Sequence, residues 1–576
     1  MCAIIQKNFP AEEHIMDLYK NEAFWSQVRE KSCFEGYREE LCALWEKYCA
    51  ENDIPVMNYT EFKLFWTTGD RNVYQAKYFA RRHALACSAL LSLIYADEEK
   101  YINKLMDVIY AICDEYTWCL PAHYGSLDSL DYTHIDLFAA ETGFALSEIL
   151  TLLRDRLEPI ITHRIEREID LRIIKPFCAS TKYSHWERNT DNWTAVCTGS
   201  VACTMMLMRP DLADDAMIER FNTSMNVYLT GLADDGVCLE GCSYWHYGFG
   251  FFTVYADMVR EFTCGKVDYF KNEKVKRVAT FIQKATLGGG CGISFADSFS
   301  KYSYHIGLVH RLKHEYPDDI VIEDPRYAIY AIDSARFCLH LRSLLWYREE
   351  YLDAGENGSK LVEYYAPSAQ WMIKRTESYG FAAKGGCNSE PHNHNDVGSF
   401  IFAKNGNQII TDLGSGLYTR QYFERDIRYT IIEPSSRSHS VPVIDGKHQI
   451  FGGGARAEDV KFENGTFSMN IANAYNLDCL DRIDRSFTLA DDRVILTDKF
   501  VYSGEGEIID RLTSTIKPQL VSDGKIELGD AIITYDPTTC DCTVISEPTT
   551  RNPDVLCYMI DFKLKNGIKE FTCEIK

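Results

Sequence analysis

The sequence lacks the features that would anchor a chain in a membrane. It has no window of about 18 uninterrupted apolar residues, so no transmembrane helix is predicted. The segment from Met1 to Pro10 has no basic stretch followed by an apolar core, so no secretory signal is expected. These absences predict a cytoplasmic location, with a periplasmic or secreted one left open for a chain whose signal has been removed.

Positive charge is also scarce. The chain carries 61 Lys and Arg against 84 Asp and Glu, a formal net charge of -23 at pH 7. This excess argues against nucleic acid or an anionic membrane as the partner. It does not exclude an acidic substrate, because binding depends on the local field of a cleft.

A regular cysteine framework is missing too, although the chain has 21 cysteines. They are scattered through apolar runs, as at Cys42, Cys87, Cys113 and Cys203, which is typical of reduced, buried thiols in a cytoplasmic protein. The run Cys540-Asp541-Cys542 is too closely spaced for a CxxC metal knuckle and is predicted to lie on one strand.

Helical periodicity dominates the first part of the chain. Apolar residues recur at helical spacing, as in Ile102, Leu105, Met106 and Ile109. Short polar or glycine-bearing breaks such as Asp234-Asp235-Gly236 separate these runs. The pattern predicts helical hairpins packed in series, forming a domain over residues 1–350.

The pattern changes after a predicted linker over residues 353–358. Short alternating runs appear, such as Val494 to Thr497 and Ala531 to Tyr535, with turns at Asn464-Gly465 and Asp523-Gly524. They predict antiparallel β-sheet, arranged as a sandwich, over residues 351–576. The expected fold class is therefore α+β, a helical domain followed by a β domain.

Histidines and carboxylates converge on one part of the β domain. The run Pro391 to Phe400 contains His392 and His394, and Asp412 and His439 follow. On a strand, two histidines two residues apart would point to one face. The donors of His394, Asp412 and His439 suit zinc or a similar divalent ion, which leaves His392 for proton transfer or substrate contact. Spacing alone leaves open a set of hydrogen-bonded histidines on a solvated sheet edge.

Two further clusters lie in the helical domain. The run from His185 to Trp193 precedes an apolar helix over Ala195 to Met206, where Asp191 or Asn192 could simply be a helix cap. The run from Glu240 to Gly250 is an aromatic cluster flanked by glycines, which could stack on sugar rings or fill a core. Residue chemistry alone favours the cap and the core.

Taken together, these three stretches resemble the heparinase II/III-like superfamily of polysaccharide lyases. The resemblance rests on His-x-His-x-Asp-x-Gly-Ser-Phe at 392–400 with a later Asp and His, on Asn192-Trp193, and on Glu-Gly-x-x-Tyr-x-x-Tyr-Gly at 240–248. It covers most of the chain and implies an incomplete (α/α) toroid followed by an antiparallel β-sandwich. It also implies cleavage of uronic-acid-containing polysaccharides by β-elimination.

The resemblance assigns catalytic roles. Asn192, helped by His392, would neutralise the uronate carboxylate, and Tyr247 would deprotonate C5, protonate the leaving oxygen, or do both. Tyr244 is the alternative tyrosine. The metal held by His394, Asp412 and His439 is implied to be structural, with zinc expected and manganese or calcium as alternatives.

A tyrosine base needs nearby positive charge to lower its pKa. Arg420, Arg425, Arg428 and Arg437 lie between the two halves of the metal motif and could supply it, or could bind sulfates and carboxylates. The expected substrate-binding residues are Arg188, Trp193, Glu240, Tyr244, His246, Tyr422, Arg425, Arg428 and Tyr429.

An acidic polysaccharide or oligosaccharide is the expected substrate. Trp193 follows Asn192 where alginate-cleaving branches commonly have an Asn-His pair, which favours glycosaminoglycans such as heparan sulfate, heparin, hyaluronan or chondroitin sulfate. A lyase for alginate or another polyuronate stays open. So do a metal-dependent hydrolase, a carbohydrate-binding protein without catalysis, and a homodimeric assembly.

Overall fold

The computed structural model describes residues 21–50, 53–180, 182–329, 335–353 and 362–576. The contacts divide the chain into two compact units. Unit 1 takes its residues from Met1–Gly231, His246–Lys276 and Tyr304–Gly355, and unit 2 from Leu232–Trp245, Arg277–Ser303 and Glu356–Lys576. Two stretches ahead of the expected boundary at residue 350 therefore pack with the C-terminal part. The predicted linker lies, from residue 354 onward, outside the described residues.

Unit 1 is helical and is built around the helix Asn192–Met208. Every residue of this helix from Thr194 to Met206 is buried, as expected for a helix that is apolar on all sides. The α-helices within unit 1 are Glu22–Glu30, Glu35–Tyr48, Tyr59–Phe62, Leu64–Thr67, Asn72–Ile94, Glu99–Cys113, Leu137–Leu153, Pro159–Ile169, Lys175–Ala179, Asn192–Met208, Asp215–Gly231, Gly250–Phe262, Ile306–Glu315, Phe337–Leu345 and Glu350–Asp353. A π-helical turn spans Asp170–Ile174.

The helical periodicity of this part is confirmed. The periodic run beginning at Ile102 lies on the helix Glu99–Cys113, with Ile102, Leu105 and Ile109 buried. Among the described residues, no helix is long and apolar enough to cross a membrane. The 20 cysteines of the described ranges are all free thiols.

Unit 2 is rich in antiparallel sheet. Its short helices are Cys242–Tyr244, Phe281–Lys284 and Arg425–Arg428. A five-stranded sheet has the order Asn407–Ile410, Phe400–Lys404, Gly380–Lys384, Trp371–Arg375, Val362–Ala366. An eight-stranded sheet has the order Glu458–Glu463, Thr466–Asn470, Leu480–Leu489, Val494–Tyr502, Glu570–Ile575, Ala531–Tyr535, Lys525–Leu528, Gln519–Ser522. A four-stranded sheet has the order Val443–Ile444, Ile508–Ser514, Leu556–Leu564, Cys540–Pro548.

Shorter elements complete the two units. In unit 2, Thr286–Gly288 pairs with Cys291–Gly292, and Gly452–Arg456 pairs with Cys387–Asn388. In unit 1, Tyr304–His305 pairs with Ala328–Ile329 in parallel. The helix Glu273–Ala279 and the π-helical turn Trp245–Phe249 each span a junction between the two units.

One apolar core joins the sheets of unit 2. It contains Phe381 and Phe400 of the five-stranded sheet, Phe467 and Phe487 of the eight-stranded sheet, and Phe562 of the four-stranded sheet. Shared burial of this kind is the main stabilising term for packed sheets. Antiparallel sheet after residue 350 is therefore confirmed.

The predicted turns and strands of unit 2 also lie where expected. Asn464 and Gly465 both have positive φ, 51° and 72°, and close a hairpin between Glu458–Glu463 and Thr466–Asn470. Gly524 likewise has positive φ, between two paired strands. Cys540 and Cys542 share the strand Cys540–Pro548.

The expectation that His392 and His394 lie on a strand is wrong. Both lie in the loop between Cys387–Asn388 and Phe400–Lys404. The stretch is rich in proline, asparagine and aspartate, which favour turns, and His392 itself has φ +56°. The loop, and not the alternation of a strand, sets the direction of the two rings.

Candidate functional site

The predicted metal ligands come together in unit 2. His394 and His439 are 0% exposed and Asp412 is 1% exposed. One donor atom from each lies within 4.8 Å of the others. His394 comes from the loop, Asp412 follows the strand Asn407–Ile410, and His439 follows a short helical turn.

Three inward-facing atoms of this group, His394 Nδ1, Asp412 Oδ2 and His439 Nδ1, have no hydrogen-bond partner outside the group. Within the group, His439 Nδ1 lies 3.3 Å from Asp412 Oδ2. The outer nitrogens are occupied, since His439 Nε2 donates to the Glu433 carbonyl at 3.0 Å and His394 Nε2 lies 3.2 Å from Asp297 Oδ1. Those outer contacts assign the proton to Nε2 and leave the Nδ1 lone pairs facing inward. Buried polar atoms without partners are costly, and a divalent metal ion would satisfy all three, so the group could hold one.

Asp297 is the hub of the site, and the sequence analysis missed it. Its carboxylate is 2% exposed. Oδ2 accepts from His392 Nδ1 at 2.8 Å and from the Tyr418 hydroxyl at 2.8 Å. Oδ1 accepts from the Tyr422 hydroxyl at 2.5 Å and lies against the His394 ring. Five donors in all surround one carboxylate, because Arg428 Nη2 also approaches it at 3.4 Å.

These contacts set the charges of the site. Burial alone would raise the pKa of Asp297, but the hydrogen bonds from His392 and His394 and the charge of Arg428 hold it well below its usual range. Burial alone would lower the pKa of His392, but Asp297 and Glu240 raise it above its ordinary value. The arrangement favours an imidazolium at His392, which is suited to facing an anionic group.

Tyr244 lies directly on His392. Its ring is stacked on the imidazole with centroids 4.1 Å apart and planes 21° apart. Its hydroxyl lies 2.9 Å from the hydroxyl of Tyr418, whose own proton is directed to Asp297. Tyr244 therefore donates to Tyr418, and four side chains, Asp297, His392, Tyr244 and Tyr418, form a closed ring of contacts.

Two glycines allow the segment that carries Asp297 to enter the site. Gly241 has φ +95°, and a Cβ there would lie 2.1 Å from Ser298 Oγ and 2.7 Å from the Phe295 carbonyl. Gly414 has φ +65°, and a Cβ there would lie 2.1 Å from the Ser298 carbonyl. Only glycine fits such approaches. The turn before Tyr244 and the turn after Asp412 thus both close on the segment around Asp297.

In unit 1, Asn192 opens the central helix. Asp191 is the N-cap, and its carboxylate accepts from the Trp193 amide at 3.1 Å, so the capping role belongs to Asp191. Asn192 is 2% exposed. Gly248 packs on it closely, since a Cβ at Gly248 would lie 3.2 Å from the Asn192 Cβ. Gly248, the residue directly after Tyr247, therefore packs against Asn192.

Tyr247 is held by the side chains of Glu141 and Arg336, neither of which the sequence motifs indicated. Its hydroxyl donates to Glu141, and the Arg336 guanidinium lies over its ring at 4.0 Å. Arg336 also pairs with Glu141, Nε to Oε2 at 3.3 Å. Burial and the Glu141 charge raise the pKa of Tyr247 well above its ordinary value, against the lowering effect of Arg336. Within unit 1, Arg336 supplies positive charge beside this tyrosine.

The remaining predicted residues of unit 1 have different surroundings. Trp193 is half-buried, with the His123 ring at 4.7 Å and the His185 ring at 5.7 Å. Arg188 is exposed and lies over the Tyr183 ring at 3.6 Å. His246 is half-buried, close enough to His305 for its charge to affect that residue's pKa.

The predicted substrate residues of unit 2 lie around His392. Glu240 is buried, with Oε2 at 3.8 Å from His392 Nε2. Tyr422 and Arg428 are buried and occupied by Asp297, and Arg428 also donates to the carbonyl of Asn393. The Tyr429 hydroxyl donates to Asn393 Oδ1 at 2.9 Å.

The other arginines of the cluster are engaged on the periphery. Arg425 lies over the ring of Phe451 at 4.8 Å, and Phe451 in turn stacks on Tyr429. Arg420 pairs with Glu424, and Arg437 pairs with Glu547.

Comparison with solved structures identifies the fold. No family model matches the sequence, and no curated protein matches it. Heparinase III is 13% identical, with a TM-score of 0.58 over 98% of this chain and 93% of that one. Heparan sulfate lyase HepC from Pedobacter heparinus is 12% identical, with a TM-score of 0.54 over 96% and 92%. Chondroitin AC lyase from Streptomyces coelicolor A3, solved with chondroitin sulphate, is 10% identical, with a TM-score of 0.56 over 97% and 82%. The chain has the fold of these structures, which confirms at the level of fold the resemblance based on its motifs.

Proposed function

We propose that the protein is a polysaccharide lyase that cleaves uronic-acid-containing glycosaminoglycans by β-elimination. The fold is proposed to be an incomplete (α/α) toroid followed by a β-sandwich. The observation that carries the proposal is His392, held by the buried Asp297 and stacked on Tyr244 beside the metal-ligand group. The likeness in fold to heparinase III, HepC and chondroitin AC lyase supports it.

The first step is neutralisation of the uronate carboxylate. The C5 proton becomes acidic enough to remove only when the negative charge of the carboxylate is offset. Asn192 supplies an amide donor, and His392 supplies an imidazolium stabilised by two carboxylates. Each of these groups would stabilise the negative charge of the carboxylate as the reaction proceeds.

The second step is proton transfer by Tyr247. The Tyr247 hydroxyl passes its proton to Glu141, and the phenolate so formed takes the C5 proton. The C4–C5 double bond then forms, the C4–O bond breaks, and Tyr247 gives the proton taken from C5 to the leaving oxygen. In the resting state the hydroxyl keeps its proton and donates to Glu141, because burial and the Glu141 charge raise the pKa of Tyr247. Arg336 over the ring opposes this shift and stabilises the phenolate when it forms. Tyr244, in contact with His392, is the alternative proton-transfer residue.

The metal held by His394, Asp412 and His439 is proposed to be structural zinc. The complete burial of the ligand set supports this role, because a metal that activates water needs a position open to solvent and substrate. Bound there, the ion would fix the ends of three chain segments. The orientation of His392 would then depend on it through the surrounding side chains.

The substrate is proposed to be a glycosaminoglycan. Trp193 beside Asn192, with imidazoles of His123 and His185 on its ring, offers an aromatic surface with hydrogen-bonding groups. Arg188 lies at the same end of the central helix and carries the charge that would suit a sulfate or carboxylate.

The test is to incubate the purified protein separately with heparan sulfate, hyaluronan, chondroitin sulfate and alginate. A lyase raises ultraviolet absorbance as unsaturated uronate ends form, and one responding polymer gives the substrate class. New reducing ends without absorbance would contradict elimination and indicate a hydrolase. No product in either assay, with binding retained, would indicate a carbohydrate-binding protein.

A further inference from the structure

We propose that Asp297 is a positioning residue that mechanically joins the metal-ligand group to His392 and Tyr244, so that the metal and the reacting side chains are set by one carboxylate. The effect of Asp297 on catalysis rests on the proposed lyase function. The effect of Asp297 on metal binding does not depend on that function.

The two oxygens of Asp297 serve two different groups. Oδ1 faces His394 Nε2 at 3.2 Å and so favours the tautomer whose Nδ1 points to the metal position. Oδ2 accepts from His392 Nδ1 at 2.8 Å and so directs His392 Nε2 away from the metal group. Because a carboxylate is planar and rigid, a shift of one ring must move or weaken the contact with the other.

The backbone on both sides of this contact is strained. Ala296, directly before Asp297, has φ +59°, and His392 has φ +56°. Residues with a Cβ rarely adopt this conformation, and they keep it where the surroundings over-determine it. The strain thus lies at both ends of one hydrogen bond, which indicates that the fold holds Asp297 and His392 together at a cost.

The same carboxylate reaches Tyr244 through Tyr418. The Tyr418 hydroxyl donates to Oδ2 at 2.8 Å and accepts from Tyr244, and Tyr244 stacks on His392. Arg428 adds a clamp from the other side, since it reaches Asp297 and donates to the Asn393 carbonyl at 3.1 Å. An amide in place of the carboxylate could not accept from all of these donors.

The test is Asp297→Asn in the full chain, with two readouts. The affinity for zinc, measured by competition with a chromophoric chelator, should fall by about 10- to 100-fold, as for losses of other outer contacts to metal ligands. With a responding polymer, kcat should fall by at least about 10-fold while KM changes little, because the reacting groups are misaligned and not removed.

The matched control is Asp445→Asn. Asp445 is also a carboxylate of unit 2 that accepts from a tyrosine hydroxyl, that of Tyr502 at 2.5 Å, and it shares no partner with Asp297, His392 or the metal-ligand group. The control should leave zinc affinity and kcat within about twofold, as expected for a site without shared partners. Zinc affinity and kcat of Asp297→Asn equal to those of this control would overturn the proposal.

A second measurement uses the unaltered protein in case Asp297→Asn does not fold. His392 modification by diethyl pyrocarbonate, mapped by mass spectrometry, should be at least severalfold faster in zinc-free than in zinc-loaded protein. Equal rates would overturn the coupling. If no polymer is cleaved, the lyase assignment fails, while the zinc-affinity and labelling results still decide whether Asp297 joins the two groups.

Discussion

At the scale of single residues, the two tyrosines near the π-helical turn have different neighbours. Tyr247 contacts Glu141 and Arg336, and its neighbour Gly248 packs on Asn192. Tyr244 contacts His392 and Tyr418. The spacing of the motif left both as candidates for the catalytic tyrosine. Their different contacts predict different effects of replacing each one.

Replacing Tyr247 by Phe should therefore abolish most turnover. The change keeps the ring under Arg336 and removes only the hydroxyl, so kcat should fall by at least about 100-fold with KM nearly unchanged. Steady-state kinetics on the responding polymer measures this. Tyr244→Phe is the matched control, with a smaller loss expected from a looser His392. A larger loss for Tyr244→Phe than for Tyr247→Phe would transfer the proton-transfer role to Tyr244.

The sequence identified the candidate ligands and the candidate tyrosines, but not the side chains that hold them in place. His394, Asp412, His439 and the tyrosine run lie in short motifs whose chemistry is visible locally. Asp297 lies 95 residues from His392, and Glu141 lies 106 residues from Tyr247. Such pairs follow only from tertiary packing. The available signals were weak: an Asp after Gly288-Gly289-Gly290 in a non-helical stretch, and an acid inside an apolar helix.

At the scale of elements, close turns bring the site together. Gly241 and Gly414 each contact the residue after Asp297 at distances that leave no room for a Cβ. The turn before Tyr244, the segment of Asp297 and the end of the strand at Asp412 depend on these contacts. The spacing of the sequence motifs gives no indication of this convergence.

Gly241→Ala should destabilise the protein by about 2 to 4 kcal/mol, from a positive-φ penalty plus a clash with the Phe295 carbonyl. Denaturant titration gives the free energy of unfolding. Gly446→Ala is the control, because Gly446 has φ +67° and a Cβ there would meet nothing within 4 Å, so it isolates the conformational penalty of about 1 kcal/mol. Equal losses for the two variants would contradict a packing role for Gly241.

Two buried histidines give unit 1 a defined response to acid. His305 caps the helix Ile306–Glu315, and its Nδ1 accepts from the Leu308 amide at 3.1 Å. His310 Nδ1 accepts from the Arg348 amide at 3.0 Å. Burial lowers the pKa of each to about 3. Protonation would remove the acceptor, so both imidazoles must remain neutral in the folded state.

The sign of the pH dependence follows from these lowered values. Between the unfolded pKa of about 6.5 and the folded value, the unfolded chain binds more protons, so stability falls as pH falls through this window. His305→Asn keeps a capping acceptor that does not titrate. Urea unfolding at pH 7 and pH 4.5 should show a smaller loss for this variant, by up to about 1.4 kcal/mol per pH unit. Identical losses in both proteins would refute the assignment.

At the scale of the whole molecule, the order of the helix-rich and sheet-rich parts was predictable from the sequence. Which stretches of the chain belong to each unit was not. Helical and strand periods are local, and the predicted runs formed the expected elements. Residues 232–245 and 277–303 nevertheless belong to unit 2, although they precede the change of pattern by about fifty residues or more. Their apolar side chains fit either unit by composition, and only packing decides which. These two stretches carry Glu240, Tyr244 and Asp297, so the candidate site of unit 2 depends on them.

Removal of the metal tests whether the ligand group has a structural or a chemical role in the whole protein. The group is buried, so a chelator should remove its ion slowly. A structural ion stabilises the folded state by mass action, so its removal should lower the melting temperature by about 10 °C. Activity should then decline slowly, at the rate at which the structure loosens around His392.

Calorimetry and the absorbance assay, followed in parallel after addition of chelator, measure both effects. Chelator already saturated with zinc is the control. Hydrogen exchange should increase in the segments that carry the ligands, at 392–397, 411–414 and 433–440, because the ion no longer joins their ends. Immediate and complete loss of turnover at an unchanged melting temperature would contradict the structural role. It would mean that the ion takes part in the reaction, as in a metal-dependent hydrolase.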